Sequence, residues 1–332
     1  MFKTIIHLGK GGIEMFKKIK LLLLAGVISI VSVGCSSKAK EEVVEVDDIT
    51  KITLVLDEGG VNDQSFNQSA WEGALKAKEE LGVEVSYIEA KQESDYATNI
   101  ETAIDQESDL IIGVGFKLAD AIREAAENYP KAKFAAIDCS YEEIPENVVP
   151  ILFNEEQAGY SVGLIAANIT ETNTVGFIGG MEIPSVTNFL VGFEKAIQEE
   201  NVDVKVLSQY ANSFTDGAKG KAIAQQMIKD NADIIFTAGG GVNNGAWEAC
   251  VEAGIKAIGV DMPSSQFSPS IITSALKNVG TGVEIITKDL IDGNFKGGQV
   301  KMFDLSNGGV GFEKTELLQE DLVKYVEDKL NK

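Results

Sequence analysis

Between residues 57 and 73 the chain gathers a carboxylate (Asp57), the adjacent glycines Gly59 and Gly60, a further acid (Asp63), an aromatic ring (Phe66) and the amide of Asn67. These groups suit a small polar ligand that carries a flat ring. The carboxylate and amides can hydrogen-bond it, the aromatic face can stack on it, and the glycines let backbone approach closely. Phosphate does not fit, because no lysine follows the glycines. Bond-breaking chemistry does not fit either, because no histidine, cysteine or acid–base pair stands nearby. The segment directly follows the apolar run 52–56 and opens a helical pattern. It therefore lies at the carboxyl end of a predicted strand, where open α/β sheets bind ligands.

Residues of the same character recur just past other apolar runs: Gly113 and Gly115, Asp138, Gly179 and Gly180, 212–216, 239–241, Asp261 and Lys277. Asp138 and Asp261 end two matching stretches, 134–138 and 257–261. A carboxylate there can accept hydrogen bonds from vicinal hydroxyls or ring N–H groups, worth roughly 1.5–3 kcal/mol each. Either aspartate alone reads better as the cap of its turn; the matched pair beside glycines favours a site. Phe66 and Phe214 sit among polar neighbours at loop–helix starts rather than in apolar company. Two such rings closing on a flat group would contribute roughly 1–3 kcal/mol per stack. Trp71 and Trp247 fall within helical patterns and read as packing residues. The glycine-rich run 239–245, headed by Gly239, lacks dinucleotide-binding spacing because position 244 is Asn, and 217–221 fails the P-loop pattern. Its glycines read as permitting close approach of a ligand. Lys277 ends an apolar run, placed to donate to ligand hydroxyls or to pair with Asp261 and hold it ionised.

The elements that must position these residues alternate between short apolar runs and amphipathic helices. Strands are predicted at 52–56, 83–88, 109–114, 134–137 and 148–153, with helices such as 66–81 and 118–129 between them. The series then repeats: strands at 174–179, 202–207, 233–238 and 257–260, with a helix at 188–200. The stretches 109–115 and 233–239 match at an offset of 124, and 134–138 and 257–261 at 123. Two similar α/β lobes in tandem, each with a parallel sheet, explain this most economically. Past Asp261 the pattern breaks at Pro263 and Pro269. It resumes with a strand at 271–276, a helix near 279–291, a strand at 299–303 and a last helix at 314–330. A chain that returns to the first lobe and crosses back would build a multi-stranded hinge, a topology that resembles the type I periplasmic binding proteins.

The N-terminus reads as a targeting signal. A basic segment at 15–20 precedes an uncharged apolar run, 21–33, too short to span a bilayer, and then Gly34 and Cys35. A small residue before a cysteine at that point resembles a bacterial lipoprotein cleavage box, which makes Cys35 the expected lipidation site. Synthesis is expected to start at Met15, with 1–34 as signal and 35–49 as a polar, acidic tether. Lobe 1 is expected to comprise 50–152 plus 271–297, and lobe 2 153–270 plus 298–332. Setting aside the five lysines and one glutamate of 1–34 leaves 24 basic and 50 acidic residues, a net charge of −26. That charge opposes binding to nucleic acid or to anionic membrane surfaces. The single histidine, His7, precedes the signal, so the expected mature chain has none, which removes Ser-His-Asp and Cys-His catalysis and the common zinc sites. Cys139 and Cys250 read as buried free thiols. Neither a cofactor nor a metal is expected, and no enzymatic activity.

Five stretches carry a family resemblance: 57–73, 179–182, 212–216, 258–261 and 273–277. Together they resemble the basic membrane protein family, purine nucleoside receptors of ABC transporters with a type I binding-protein fold. The likeness runs from about residue 51 to the C-terminus. It implies that Phe66 and Phe214 sandwich a purine. Asp57, Asn67 and Asp138 would contact the base or its surroundings, and Gly239, Asp261 and Lys277 would hold the ribose. It also implies a lipid-anchored, extracytoplasmic monomer that closes on a nucleoside by hinge motion and delivers it to a membrane permease. After Asp261 this chain has Met-Pro-Ser-Ser-Gln266 where the family commonly continues with a short Asp-Gln pair, so the ribose-side loop departs from the pattern. The alternatives that the residues leave open are a sugar or sugar-like signal receptor of the same fold, a nucleoside-processing enzyme, and a surface adhesin.

Overall fold

Continuous apolar runs such as 110–114 and 234–238 can only be satisfied in strands covered on both faces, and the structure buries every residue of both. The computed structural model describes residues 49–331. Cys35, the signal and most of the tether lie outside the described residues.

The first lobe starts with β1 (Lys51–Leu56), α1 (Phe66–Leu81), β2 (Glu84–Glu89) and α2 (Tyr96–Asp105). It continues through β3 (Leu110–Val114), α3 (Ala119–Asn128), β4 (Phe134–Ile137) and β5 (Val148–Phe153). The second repeats the theme with α4 (Glu155–Ile169), β6 (Thr174–Gly179), α5 (Pro184–Glu200), β7 (Lys205–Tyr210) and α6 (Gly217–Lys229). Then come β8 (Ile234–Ala238), α7 (Val242–Ala253), β9 (Lys256–Asp261) and β10 (Ile271–Lys277). The tail holds α8 (Val279–Ile291), β11 (Lys301–Phe303), β12 (Val310–Phe312) and α9 (Glu320–Leu330).

Two six-stranded sheets result, in the orders β2-β1-β3-β4-β5-β11 and β7-β6-β8-β9-β10-β12. Every pairing is parallel except that of β12 with β10. The strand order reverses direction at β1/β3 in one sheet and at β6/β8 in the other. Those are the switch points at which doubly wound sheets open a crevice.

The tail differs from expectation. Ile271–Lys277 was expected in lobe 1, but β10 pairs with β9 and belongs to lobe 2. The strand within 299–303 was expected in lobe 2, but β11 pairs with β5 and belongs to lobe 1. Helix α8 packs on α1 of lobe 1, and α9 packs on α4 of lobe 2. The chain thus crosses between lobes three times, after β5, after β10 and between β11 and β12. The short antiparallel strand β12 carried no period-2 signal, and the last helix begins at Glu320 rather than at 314. No helix among the described residues is long and apolar enough to cross a membrane.

Candidate functional site

Strand β1 delivers Asp57 to the switch point of lobe 1. Its Oδ1 accepts hydrogen bonds from the Gly59 N–H at 2.9 Å and from Asn67 Nδ2 at 2.8 Å. Asp63 has a different task. Its two oxygens accept the backbone N–H groups of Ser65, Asn67 and Gln68 at 2.9–3.1 Å, so it caps the start of α1 and complements the helix dipole there. That capped start holds Phe66 as the first residue of α1. Gly115, at the end of β3, has φ +109°, and a Cβ there would lie 3.6 Å from Phe66 Cε1 and 3.5 Å from Asp57 Oδ2. The ring and the carboxylate therefore share one corner, kept open by a glycine.

Lobe 2 answers with Phe214. A Cβ on Gly180 would lie 2.4 Å from its ring, so only glycine lets the ring settle on that loop. The Phe214 carbonyl accepts the Gly241 N–H at 2.8 Å, and the Gly239 N–H donates to Asn243 Oδ1 at 2.8 Å, which sets the glycine turn before α7. Phe116 reaches from lobe 1 towards Phe214, with centroids 6.5 Å apart and planes at 61°.

The two matched aspartates share an uncommon backbone state. Asp138 has φ 59° and Asp261 φ 66°, both left-handed. Asp tolerates this region better than most residues, and the kink turns each side chain off its strand end into the cleft. Lys277 Nζ lies 2.5 Å from Asp138 Oδ2 and 2.9 Å from Glu155 Oε1, and all three side chains are nearly inaccessible. The same ammonium sits 5.3 Å from the ring centroids of Phe66 and Phe153. The expectation that Lys277 pairs with Asp261 is thus only indirectly met, since its contacts are Asp138 and Glu155. Asp261 Oδ2 instead accepts the hydroxyl of Ser65, a bond that spans the two lobes. Asp138 Oδ1 is buried with no donor in hydrogen-bonding geometry among the described residues, although the Ser185 hydroxyl is close enough to pull the carboxyl down.

Burial shapes the charge states. It pushes the Asp261 carboxyl up to about 7, against the pull of Lys277 and the Ser65 hydroxyl. Burial also raises the Asp138 carboxyl, with Lys277 opposing it and Glu155 adding to it. For Lys277, burial disfavours the charge, but Asp138, Glu155 and Asp261 outweigh it and hold the ammonium above the usual lysine range.

One cavity between the lobes, about 600 Å³ with its mouth included, is lined by Asp57, Phe66, Asn67, Asp138, Phe214, Gly239, Asp261 and Lys277. All eight residues singled out from the sequence thus meet in one place. The wall also includes Phe116, Ser185 and Phe189, which the sequence reading missed; Ser65 and Glu155, behind it, were missed as well. Phe116 stands beside the noted Gly115, and that position was the available signal. Glu155 looks like an ordinary first-turn acid of α4, and nothing local marks it. Trp247 is buried and donates to Thr237 Oγ1 at 2.9 Å, and Trp71 packs edge-on against Tyr87, both outside this cavity. Cys139 and Cys250 are buried free thiols, and burial raises both.

Residues 49–332 match the family described as ABC transporter substrate-binding protein, PnrA-like. The chain belongs to this Bmp family. Its relatives include the ABC transporter nucleoside-binding protein BmpA of Lactococcus lactis, 36% identical over 310 residues that cover 87% of this chain and 86% of that protein. Basic membrane protein A of Borreliella burgdorferi is 35% identical over 316 residues, covering 93% and 91%. Among solved structures, an ABC transporter solute-binding protein from Aeropyrum pernix superposes with a TM-score of 0.75 at 30% identity, covering 85% of this chain and 86% of its own. Bmp family proteins are substrate-binding components of ABC transporters and not enzymes, and the two-sheet architecture agrees with that fold.

Proposed function

We propose that this Bmp family protein captures purine nucleosides on the extracytoplasmic face and hands them to the permease of an ABC importer. The observation that carries this reading is the meeting of Phe66 and Phe214, one from each lobe, in the cavity that also holds Asp138, Asp261 and Lys277. The rings would take the two faces of a base. Asp261 Oδ1, which no protein hydrogen bond among the described residues occupies, would accept a ribose hydroxyl and Lys277 would donate to the sugar, while Asp138 Oδ1, paired through its other oxygen with Lys277, would face the surroundings of the base. Gly239 would let the sugar approach the backbone. Closure over the ligand excludes water and strengthens these bonds. The cavity sets Asp57, Asp63, Asp138 and Asp261 against one lysine. That balance repels a phosphate group, so nucleosides and not nucleotides are the expected cargo. The protein would act as a monomer without a cofactor, held to the membrane by a lipid on Cys35.

Calorimetry across guanosine, inosine, adenosine, cytidine, uridine and ribose tests the reading. Purine nucleosides should bind at micromolar concentration or tighter, about −8 kcal/mol, and their monophosphates far more weakly. Equal responses to ribose and guanosine would reject the stacking role. Labelled fatty acid should attach to the wild-type chain and not to Cys35→Ser.

A further inference from the structure

The corner where Phe66 meets Asp57 carries chemical information that the aromatic rings lack. Asp57 Oδ1 is filled by two donors, the Gly59 N–H and Asn67 Nδ2. Both oxygens of Asp63 are taken by the start of α1. The Asn67 amide cannot be turned over, because a carboxylate only accepts and so must face its NH2 group. Its Oδ1 is therefore fixed as an acceptor, and it is buried with no donor among the described residues. Asp57 Oδ2 likewise has no donor among them and lies beside Phe66 at the Gly115 corner. Asp57 and Asn67 line the same cavity as Phe66, so a ring stacked on Phe66 would meet two acceptors at its edge.

Purines differ at that edge. Guanine offers two adjacent donors, N1–H and N2–H. Hypoxanthine offers N1–H alone. Adenine offers an N6–H donor beside N1, whose lone pair would face a carboxylate oxygen. We propose that this corner reads the Watson–Crick edge as a pair of donors, so that guanosine binds as it stands, while adenosine binds with a proton taken from solvent and held between its N1 and Asp57 Oδ2. The proposal rests on the purine nucleoside reading above.

The charged and titratable groups around Asp57 are Glu58 beside it, Asp63 in the same turn, Lys117 after β3 and Tyr96 at the start of α2. Burial pushes the Asp57 carboxyl above its ordinary value, with Asn67 and Gly59 pulling it back and Glu58 adding to the rise. A proton at Oδ2 is thus easier to place than on an exposed aspartate.

The test is calorimetry of the full chain with guanosine, inosine and adenosine near neutral pH, in phosphate and in Tris, whose ionisation enthalpies differ. The heat difference between buffers counts protons. Adenosine should take up about one proton per molecule bound and guanosine about none. Guanosine should bind about tenfold or more tighter than inosine, which leaves Asn67 Oδ1 without a donor. In Asp57→Asn an amide N–H replaces Oδ2, so the adenosine-to-guanosine affinity ratio should rise about tenfold and the proton uptake should vanish. Adenosine binding to the wild type without proton uptake, or equal binding of guanosine and inosine, overturns the proposal and leaves the nucleoside reading standing. Binding of no purine nucleoside defeats both.

Discussion

Replacing Asp261 with asparagine should stabilise the empty protein at neutral and alkaline pH and weaken its hold on ligand. Burial raises the Asp261 carboxyl from its ordinary 3.8 to about 7. Because the folded value lies above the unfolded one, the penalty for ionising Asp261 is absent below about pH 4. It grows as pH rises and is complete above about pH 7. A difference of about three units at 1.36 kcal/mol per unit places the ceiling near 4 kcal/mol. Opening of the lobes would hydrate the carboxylate and relieve part of this, so a gain of about 1–4 kcal/mol is expected, a few degrees or more in Tm. Asparagine has no such titration, so the Tm gap between variant and wild type should widen from near zero at about pH 4 to its maximum above about pH 7. The neutral amide is a weaker acceptor for a sugar hydroxyl, by about 1 kcal/mol, so Kd should rise about fivefold or more. Differential scanning fluorimetry across pH measures the first effect and calorimetry the second. A Tm gap that is independent of pH, or a variant less stable than wild type at alkaline pH, would refute the reasoning. Lys277 would then be stabilising the Asp261 charge by more than burial opposes it.

Other perturbations follow from the same geometry. Phe66→Ala and Phe214→Ala should each weaken nucleoside binding by about 1–3 kcal/mol while leaving ribose binding little changed, read by calorimetry. Lys277→Met strands the buried Asp138 and Glu155, so stability should fall by about 3–5 kcal/mol at neutral pH. The loss should shrink on acidification, because the buried Asp138 carboxyl, raised in the folded state, is neutralised there; chemical denaturation at several pH values checks this. Gly192→Ala should destabilise lobe 2 by about 1–3 kcal/mol or more. A methyl there would lie 1.9 Å from the Glu156 carbonyl oxygen at the α4–α5 crossing, and thermal unfolding would report it.

Local chemistry marks the residues of the candidate site. A residue just past a buried parallel strand has little room to be anything but a turn former or a ligand contact. Asp57, Asp138, Asp261 and Lys277 announced themselves by standing there. Phe66 and Phe214 were conspicuous because an aromatic among polar neighbours has no core to join locally. Ser65 and Glu155 were not legible. Each reads as a routine helix-start residue, and each matters through a partner far along the chain: Asp261 for Ser65, Lys277 for Glu155.

The amino-acid order determined the alternation of strand and helix, the tandem repeat and the polar and aromatic groups that stand at the strand ends, because each follows from periodicity and from chemistry within a few residues. Only the tertiary structure decided which sheet received β10 and β11. Neither the seven-residue β10 nor the three-residue β11 carries a local pattern that favours one sheet edge over the other. The choice was made by the strand edges left unpaired, β9 for one and β5 for the other, and by the three crossings that tie the lobes together. The same long-range closure brought Ser65 to Asp261 and Lys277 between Asp138 and Glu155, so the charge balance of the cleft exists only once the lobes have met.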